Sequence, residues 1–330
     1  MLKPSYDWQQ DKGIFNRALF DLNGTLKTRS YSMETYVYKK IGNHEIKADI
    51  YHSAPISNAQ KLPAVVFIHG GGLIMGHRKA ILPGHIQAFH DAGFHVVSID
   101  YRLAPETKLP DIVADVRDAW NWLRDNADSL GINTDRIAIL GHSAGAYLTL
   151  VSGYKLDPRP AALVALAGYG KLTSDAFTTP SPYYVREYQS VDEHDARQTV
   201  GGQIISASGP NDSMQRHLGR GLFYLFCRQK GIWLREVTGH ETDDQAWFVN
   251  YEPIRNVSAA YPPTMLLHGE PDTDIPFEQS VLMQQELARY GVANEFVRNP
   301  NWEHTFLYMS NDASVDEAFG QIVSFLQQHV

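Results

Sequence analysis

Six apolar runs recur along the chain, and most of them end on glycine or a charged residue. They are AVVFIHG (64–70), FHVVSIDYR (94–102), RIAILG (136–141), AALVALAGYG (161–170), TMLLHGE (264–270) and ANEFVRNP (293–300). Runs this short and this continuous read as strands buried on both faces, the pattern of a parallel sheet. Ahead of them, YVYKKI and HEIKADIY alternate around Gly42-Asn43, the signal of an antiparallel hairpin. The stretch 111–130 repeats apolar residues at helical spacing through Ile112, Val116, Ala119, Trp120 and Leu123. The tail from Val315 to Val330 has helical character as well.

Strands alternating with helices predict an α/β fold: a mostly parallel, twisted sheet with helices on both faces. The alternation lapses between residues 171 and 255. There SPYYVREYQSVDEHDARQ and MQRHLGRGLFYLFCRQKGIWLREV are more helical than strand-like, and the interval exceeds a simple crossover. The expected organisation is a core of residues 36–170 and 256–330, an inserted helical cap at 171–255, and an N-terminal arm at 1–35 that could join the cap.

A length of 330 residues fits one large α/β domain with an insertion. The net charge of −8 disfavours nucleic acid and anionic membranes as partners, since both reward a basic surface. One cysteine, Cys227, excludes an intramolecular disulfide and fits a reducing compartment. Its apolar helical surroundings suit a buried small residue rather than a reactive thiol. No run has the length of a membrane span, and the N-terminus lacks a signal-peptide core, so a soluble cytoplasmic protein is expected. His85, His90 and His95 do not match a zinc spacing, and no metal is expected. A homo-oligomer is compatible with the sequence.

The chemistry concentrates at three places. GHSAG (141–145) follows the strand RIAIL and precedes the helical AYLTLVSGY. A serine on such a strand-to-helix bend has its hydroxyl lifted above the sheet, and the flanking glycines avoid collisions at the turn. Ser143 is therefore the candidate nucleophile, although a bare G-x-S-x-G also occurs as a plain bend. HGGG (69–72) follows AVVFI and frees backbone N–H groups to face one point, as stabilising a tetrahedral oxyanion requires. Ala144 offers another N–H at a helix start. A nucleotide-binding glycine loop would need a different spacing, which is absent.

The expected chain order is serine, acid, histidine. Past LLHGEPDTDIP only His304 and His329 remain. His329 is penultimate, whereas His304 lies in NPNWEHTFLY on a loop after a strand, where sites gather in such sheets. His304 is the candidate base. For the acid, Glu270, Asp272 and Asp274 all follow a strand; Asp272 ranks first and Asp274 second.

Taken together, HGGG, DYRLAPE (100–106) and GHSAG resemble the hormone-sensitive-lipase-like esterases of the α/β-hydrolase superfamily. The resemblance spans roughly Tyr36 to Phe306. It implies an α/β-hydrolase fold, carboxylic ester hydrolysis of a small-molecule substrate, no cofactor and a helical cap. It implies an oxyanion hole from Gly71, Gly72 and Ala144, and structural roles for Asp100 and Arg102. The family's Gly-x-x-Asp-x-x-Val/Ile-Pro pattern falls on Gly269 to Pro276 and selects Asp272 as the acid. Leu73 stands where the family usually has an aromatic residue, and EHTF replaces its usual GHGF. Two other functions fit the same residues: an amide-cleaving relative of exopeptidase or arylformamidase type, and a non-catalytic ligand-binding protein. His304 argues against the second.

Overall fold

The structure is a computed structural model that describes residues 32–54, 61–209, 213–309 and 312–330. Its strands are β1 (Ser32–Ile41), β2 (His44–His52), β3 (Leu62–Ile68), β4 (His95–Ile99), β5 (Ile132–His142), β6 (Ala162–Leu166), β7 (Thr264–Gly269) and β8 (Asn294–Asn299). They form one sheet in the order β1-β2-β4-β3-β5-β6-β7-β8. The pairs β1–β2 and β2–β4 are antiparallel and the others parallel. All six apolar runs and the hairpin are present as strands. β1 begins at Ser32, inside the stretch expected to be an arm. The remainder of that expected arm, residues 1–31, lies outside the described residues.

Alternation along each strand divides the core into two layers. Val66, Ile68, Ile139, Ala165 and Leu266 face one layer. Val65, Phe67, Leu140, Val164 and Leu267 face the other. The helices fill both layers. α1 (Pro83–Asp91) places Ile86 and Phe89 in the second. α2 (Leu109–Asp125) and α3 (Ala144–Lys155) cover the first. Full burial of a side chain such as Ile112 or Leu123 contributes about 1.5–3 kcal/mol. The helix expected over 111–130 is interrupted: Asn126 leaves helical geometry at φ −103° and ψ 4°. Its side-chain amide donates to the Trp122 carbonyl at 2.7 Å, competing locally with helix continuation.

Residues 167–263, between β6 and β7, hold short helices and one long one, α4 (Met214–Lys230). α5 (Glu278–Arg289) returns to the first core layer, and α6 (Ala313–His329) closes the second. Among the described residues no helix is long and apolar enough to cross a membrane.

Candidate active site

β5 ends at His142 and α3 begins at Ala144, so Ser143 alone makes the bend. Its φ of 55° and ψ of −120° lie in a region that non-glycine residues avoid, at a cost of about 1–3 kcal/mol. The surroundings hold it there. The Ser143 N–H donates to the Leu166 carbonyl at 2.8 Å, and its carbonyl accepts from Tyr147 N–H at 3.0 Å. Close approach explains Gly145, where a Cβ would lie 2.0 Å from the Ile68 carbonyl oxygen. The elbow is thus wedged against the end of β3, which leads into HGGG.

His304 follows β8, and Asp272 follows β7. His304 Nε2 lies 2.9 Å from Ser143 Oγ, and its Nδ1 lies 2.8 Å from Asp272 Oδ2. Burial opposes ionisation of Asp272, but hydrogen bonds from His268 and His304 outweigh it and hold the carboxyl well below its ordinary range. An ionised carboxylate only accepts, so His304 Nδ1 carries the hydrogen and Nε2 presents a lone pair to the serine hydroxyl. Asp272 Oδ1 accepts the N–H groups of Asp274 and Ile275 at 2.9 and 2.8 Å. Burial pulls the His304 pKa down, yet the Asp272 hydrogen bond and the charges of Asp274 and Asp272 carry it above its ordinary value.

Of the three acid candidates, only Asp272 meets His304 Nδ1. Glu270 is exposed. Asp274 stands on the opposite side of the imidazole, 3.6 Å from Nε2. Its carboxylate accepts from the Tyr224 hydroxyl and pairs with Arg228 at 3.4 Å. Both partners come from α4.

The glycine loop has left-handed backbone at Gly71 (φ 112°), Gly72 (φ 61°) and Leu73 (φ 62°). A Cβ on Gly72 would also strike the Tyr224 ring at 2.4 Å. Trp233 Nε1 donates to the Gly72 carbonyl at 2.8 Å, and Arg220 Nε donates to the Ile74 carbonyl at 2.5 Å. These two bonds fix the carbonyls of Gly72 and Ile74 on side chains of the inserted segment. Among the described residues, the N–H groups of Gly71, Gly72 and Ala144 have no acceptor. A Cβ on Gly70 would lie 3.2 Å from Ser143 Cβ, so the loop abuts the elbow. Ala144 adds the positive end of α3.

Asp100 and Arg102 do not pair with each other. Asp100 takes Arg78 Nη1 at 2.6 Å, while Arg102 Nε binds Asp115 at 2.7 Å. Between them, the Tyr101 hydroxyl donates to the His69 carbonyl at 2.9 Å, just ahead of the glycine loop. Cys227 is buried, and burial pushes its thiol pKa up. Among the described residues no group of His, Cys, Asp and Glu could hold a metal ion.

Four contacts escaped the sequence reading. His142 is buried, and burial draws its pKa down to about 3. The neutral ring donates from Nε2 to the His304 carbonyl at 2.8 Å, bracing the histidine loop. His268 braces Asp272. Asp274, Tyr224 and Arg228 form a polar roof, and Arg220 ties α4 to the glycine loop. His142 and His268 were visible inside GHSAG and LLHGE, but nothing in their spacing shows that they reach the His304 carbonyl and the Asp272 carboxylate.

The BD-FAE family model matches residues 48–287, more than two thirds of the chain. The chain belongs to the BD-FAE family. It is an esterase-like α/β hydrolase, in the superfamily that its motifs implied. A Staphylococcus aureus protein of unknown function superposes on this BD-FAE member with a TM-score of 0.72 at 24% identity, over 90% of this chain and 99% of that one. An α/β-hydrolase superfamily protein from Enterococcus faecalis gives 0.68 at 21%, over 91% and 100%. The butyrate-bound esterase of Thermogutta terrifontis gives 0.63 at 22%, over 89% and 93%. Among curated proteins, a non-reducing polyketide synthase of Penicillium brevicompactum is 28% identical over 98% of this chain, and one of Stereocaulon alpinum is 28% identical over 80%. The matched stretches are 17% and 12% of those proteins' lengths, so the chain corresponds to a small part of each.

Proposed function

We propose that this esterase-like hydrolase cleaves carboxylic esters through an acyl-enzyme on Ser143, with His304 as base and acid and Asp272 as its orienting carboxylate. The observation that carries this reading is the continuous hydrogen-bonded chain from Ser143 Oγ through both His304 nitrogens to Asp272, at 2.9 and 2.8 Å. His304 Nε2 takes the hydroxyl proton as Oγ attacks the ester carbonyl. Negative charge develops on the carbonyl oxygen, toward which Gly71, Gly72 and Ala144 N–H groups would donate. His304 passes its proton to the leaving alcohol, and water repeats the cycle to release the acid. Asp272 stabilises the imidazolium in both halves, and no cofactor enters. Residues 171–255 act as the cap over this site.

Ser143→Ala tests the reading. Hydrolysis of p-nitrophenyl acetate and butyrate should fall at least about a thousandfold, with the far-UV spectrum unchanged. Wild-type turnover in that variant would refute it. Substrate protection without turnover would instead favour a ligand-binding protein.

A second reading changes the acyl donor but not the chemistry. Because proteins that match nearly the whole chain are named polyketide synthases, a polyketide acyl group carried on oxygen or sulfur is favoured as substrate. Turnover of one acyl group as ester, thioester and anilide distinguishes ester, thioester and amide preference.

A further inference from the structure

Beside the nucleophile lies a buried polar cluster that the ester-cleaving steps leave unused. Tyr169 follows β6, is 1% exposed, and stacks on Tyr147, one turn past Ser143, with centroids 4.9 Å apart. Its hydroxyl has no hydrogen-bond partner among the described residues. Arg228 of α4 is 3% exposed. Its Nη2 donates to the Asp274 carbonyl at 2.9 Å and pairs with the Asp274 carboxylate at 3.4 Å, but its Nε is buried without a partner. Phe177 links the two: its ring centroid is 4.8 Å from that of Tyr169 and 5.5 Å from the Arg228 guanidinium carbon. Trp233, which holds Gly72, meets Tyr169 edge-on at 5.9 Å. The cluster is therefore bounded by the glycine loop on one side and, through Asp274, by His304 on the other.

Buried donors without acceptors are costly and rare, and two of them around one aromatic ring next to a nucleophile mark a place where an acceptor arrives with a ligand. With Ser143 as the nucleophile, on which this rests, we propose that Tyr169 O–H and Arg228 Nε–H form a subsite for an uncharged oxygen acceptor, such as a ketone, on the acyl group of the substrate. The acceptor is uncharged because Asp274 already balances Arg228, and an additional charge would be buried unpaired. Phe177 and Trp233 supply an apolar wall for the chain that carries it. The acyl group is the part addressed because Tyr169 packs on the helix that bears the acylated serine.

The test compares p-nitrophenyl hexanoate with its 4-oxo and 5-oxo analogues, each rate divided by that of alkaline hydrolysis. The wild-type enzyme should favour one oxo ester over hexanoate by about fivefold or more in kcat/KM. Tyr169→Phe should bring that ratio toward one, with the far-UV spectrum and melting temperature checking its fold. Hexanoate hydrolysed with no oxo preference overturns the subsite and leaves the ester-cleaving reading intact. A preference that appears only when the ketone is moved to the alcohol overturns its placement on the acyl side. Failure to turn over any of the esters would strike at the ester-cleaving reading instead.

Discussion

His268, on β7, and His304, on the loop after the neighbouring β8, donate to the same oxygen of Asp272 at 3.1 and 2.8 Å. His268 is fully buried on β7; its Nε2–H also reaches the Ile275 carbonyl at 3.0 Å, and its Nδ1 accepts from the Ser280 hydroxyl at 2.7 Å. The carboxylate is thus clamped by two imidazoles and two backbone amides. The clamp fixes the angle at which Asp272 meets His304, and small errors in such geometry cost large factors in rate.

Removing one clamp should therefore act on turnover. For His268→Ala we expect kcat to fall about tenfold to a hundredfold with KM nearly unchanged. With one donor fewer, Asp272 is more basic and holds the His304 proton more firmly, so the acid limb of kcat/KM moves to higher pH. An unmoved limb with lowered kcat would reduce His268 to a packing residue.

On the proposed mechanism, His304 must be neutral to accept the Ser143 proton. Its pKa is raised, because the Asp272 hydrogen bond and the Asp274 and Asp272 charges outweigh burial and the opposing Arg228 charge. Activity should accordingly be present above that raised pKa and fall as pH drops through it, with the limb lying above the ordinary histidine value of about 6.5. Asp274→Asn removes one of the raising charges and should move the limb to lower pH. A pH profile of kcat/KM for both proteins decides this; a limb that stays fixed or moves upward counts against Asp274 as an electrostatic partner.

The positive φ of Ser143 can be weighed separately from its chemistry. Ser143→Ala and Ser143→Gly both remove the hydroxyl, but only glycine relieves the backbone strain. The glycine variant should be more stable than the alanine variant by about 1 kcal/mol, after the flexibility that glycine adds to the unfolded chain. Paired thermal melts or urea titrations measure the difference. Equal stability would mean that the elbow is not strained.

These relationships also show what a sequence exposes. The strands were legible because each is a buried run between turn residues, and the Ser143 elbow because glycine is forced where backbones nearly touch. His304 was legible by position, since few histidines follow β7. Asp272 and Asp274 were harder to separate. Both stand on one turn, and only the direction of their side chains assigns one to Nδ1 and the other to the Nε2 side. Arg220, Arg228 and Tyr224 were illegible for another reason: they reach β-loops more than a hundred residues before α4, or some fifty after it, and helical periodicity says nothing of which loop a face will meet. The break at Asn126 turned on a single side-chain hydrogen bond within an otherwise periodic helix.

Arg220 gives the sharpest test of how α4 supports the site. Its guanidinium binds both oxygens of Glu106 at 3.0 and 2.9 Å, donates to the Ala104 carbonyl, and reaches Ile74 at the end of the glycine loop. The Arg220 and Glu106 side chains are only 1% and 4% exposed. Truncating one partner leaves the other charge buried and uncompensated, so Arg220→Ala should lose about 3–5 kcal/mol of stability. Because the loop that presents the Gly71 and Gly72 amides loses an anchor, kcat should fall in the protein that remains folded. Replacing both charges, as in Arg220→Met with Glu106→Gln, should recover much of the stability but not the kcat, since the Ile74 carbonyl is still released. Denaturant titration and single-substrate kinetics on the two proteins separate these effects. Full recovery of kcat in the double variant would show that Arg220 serves only to neutralise Glu106.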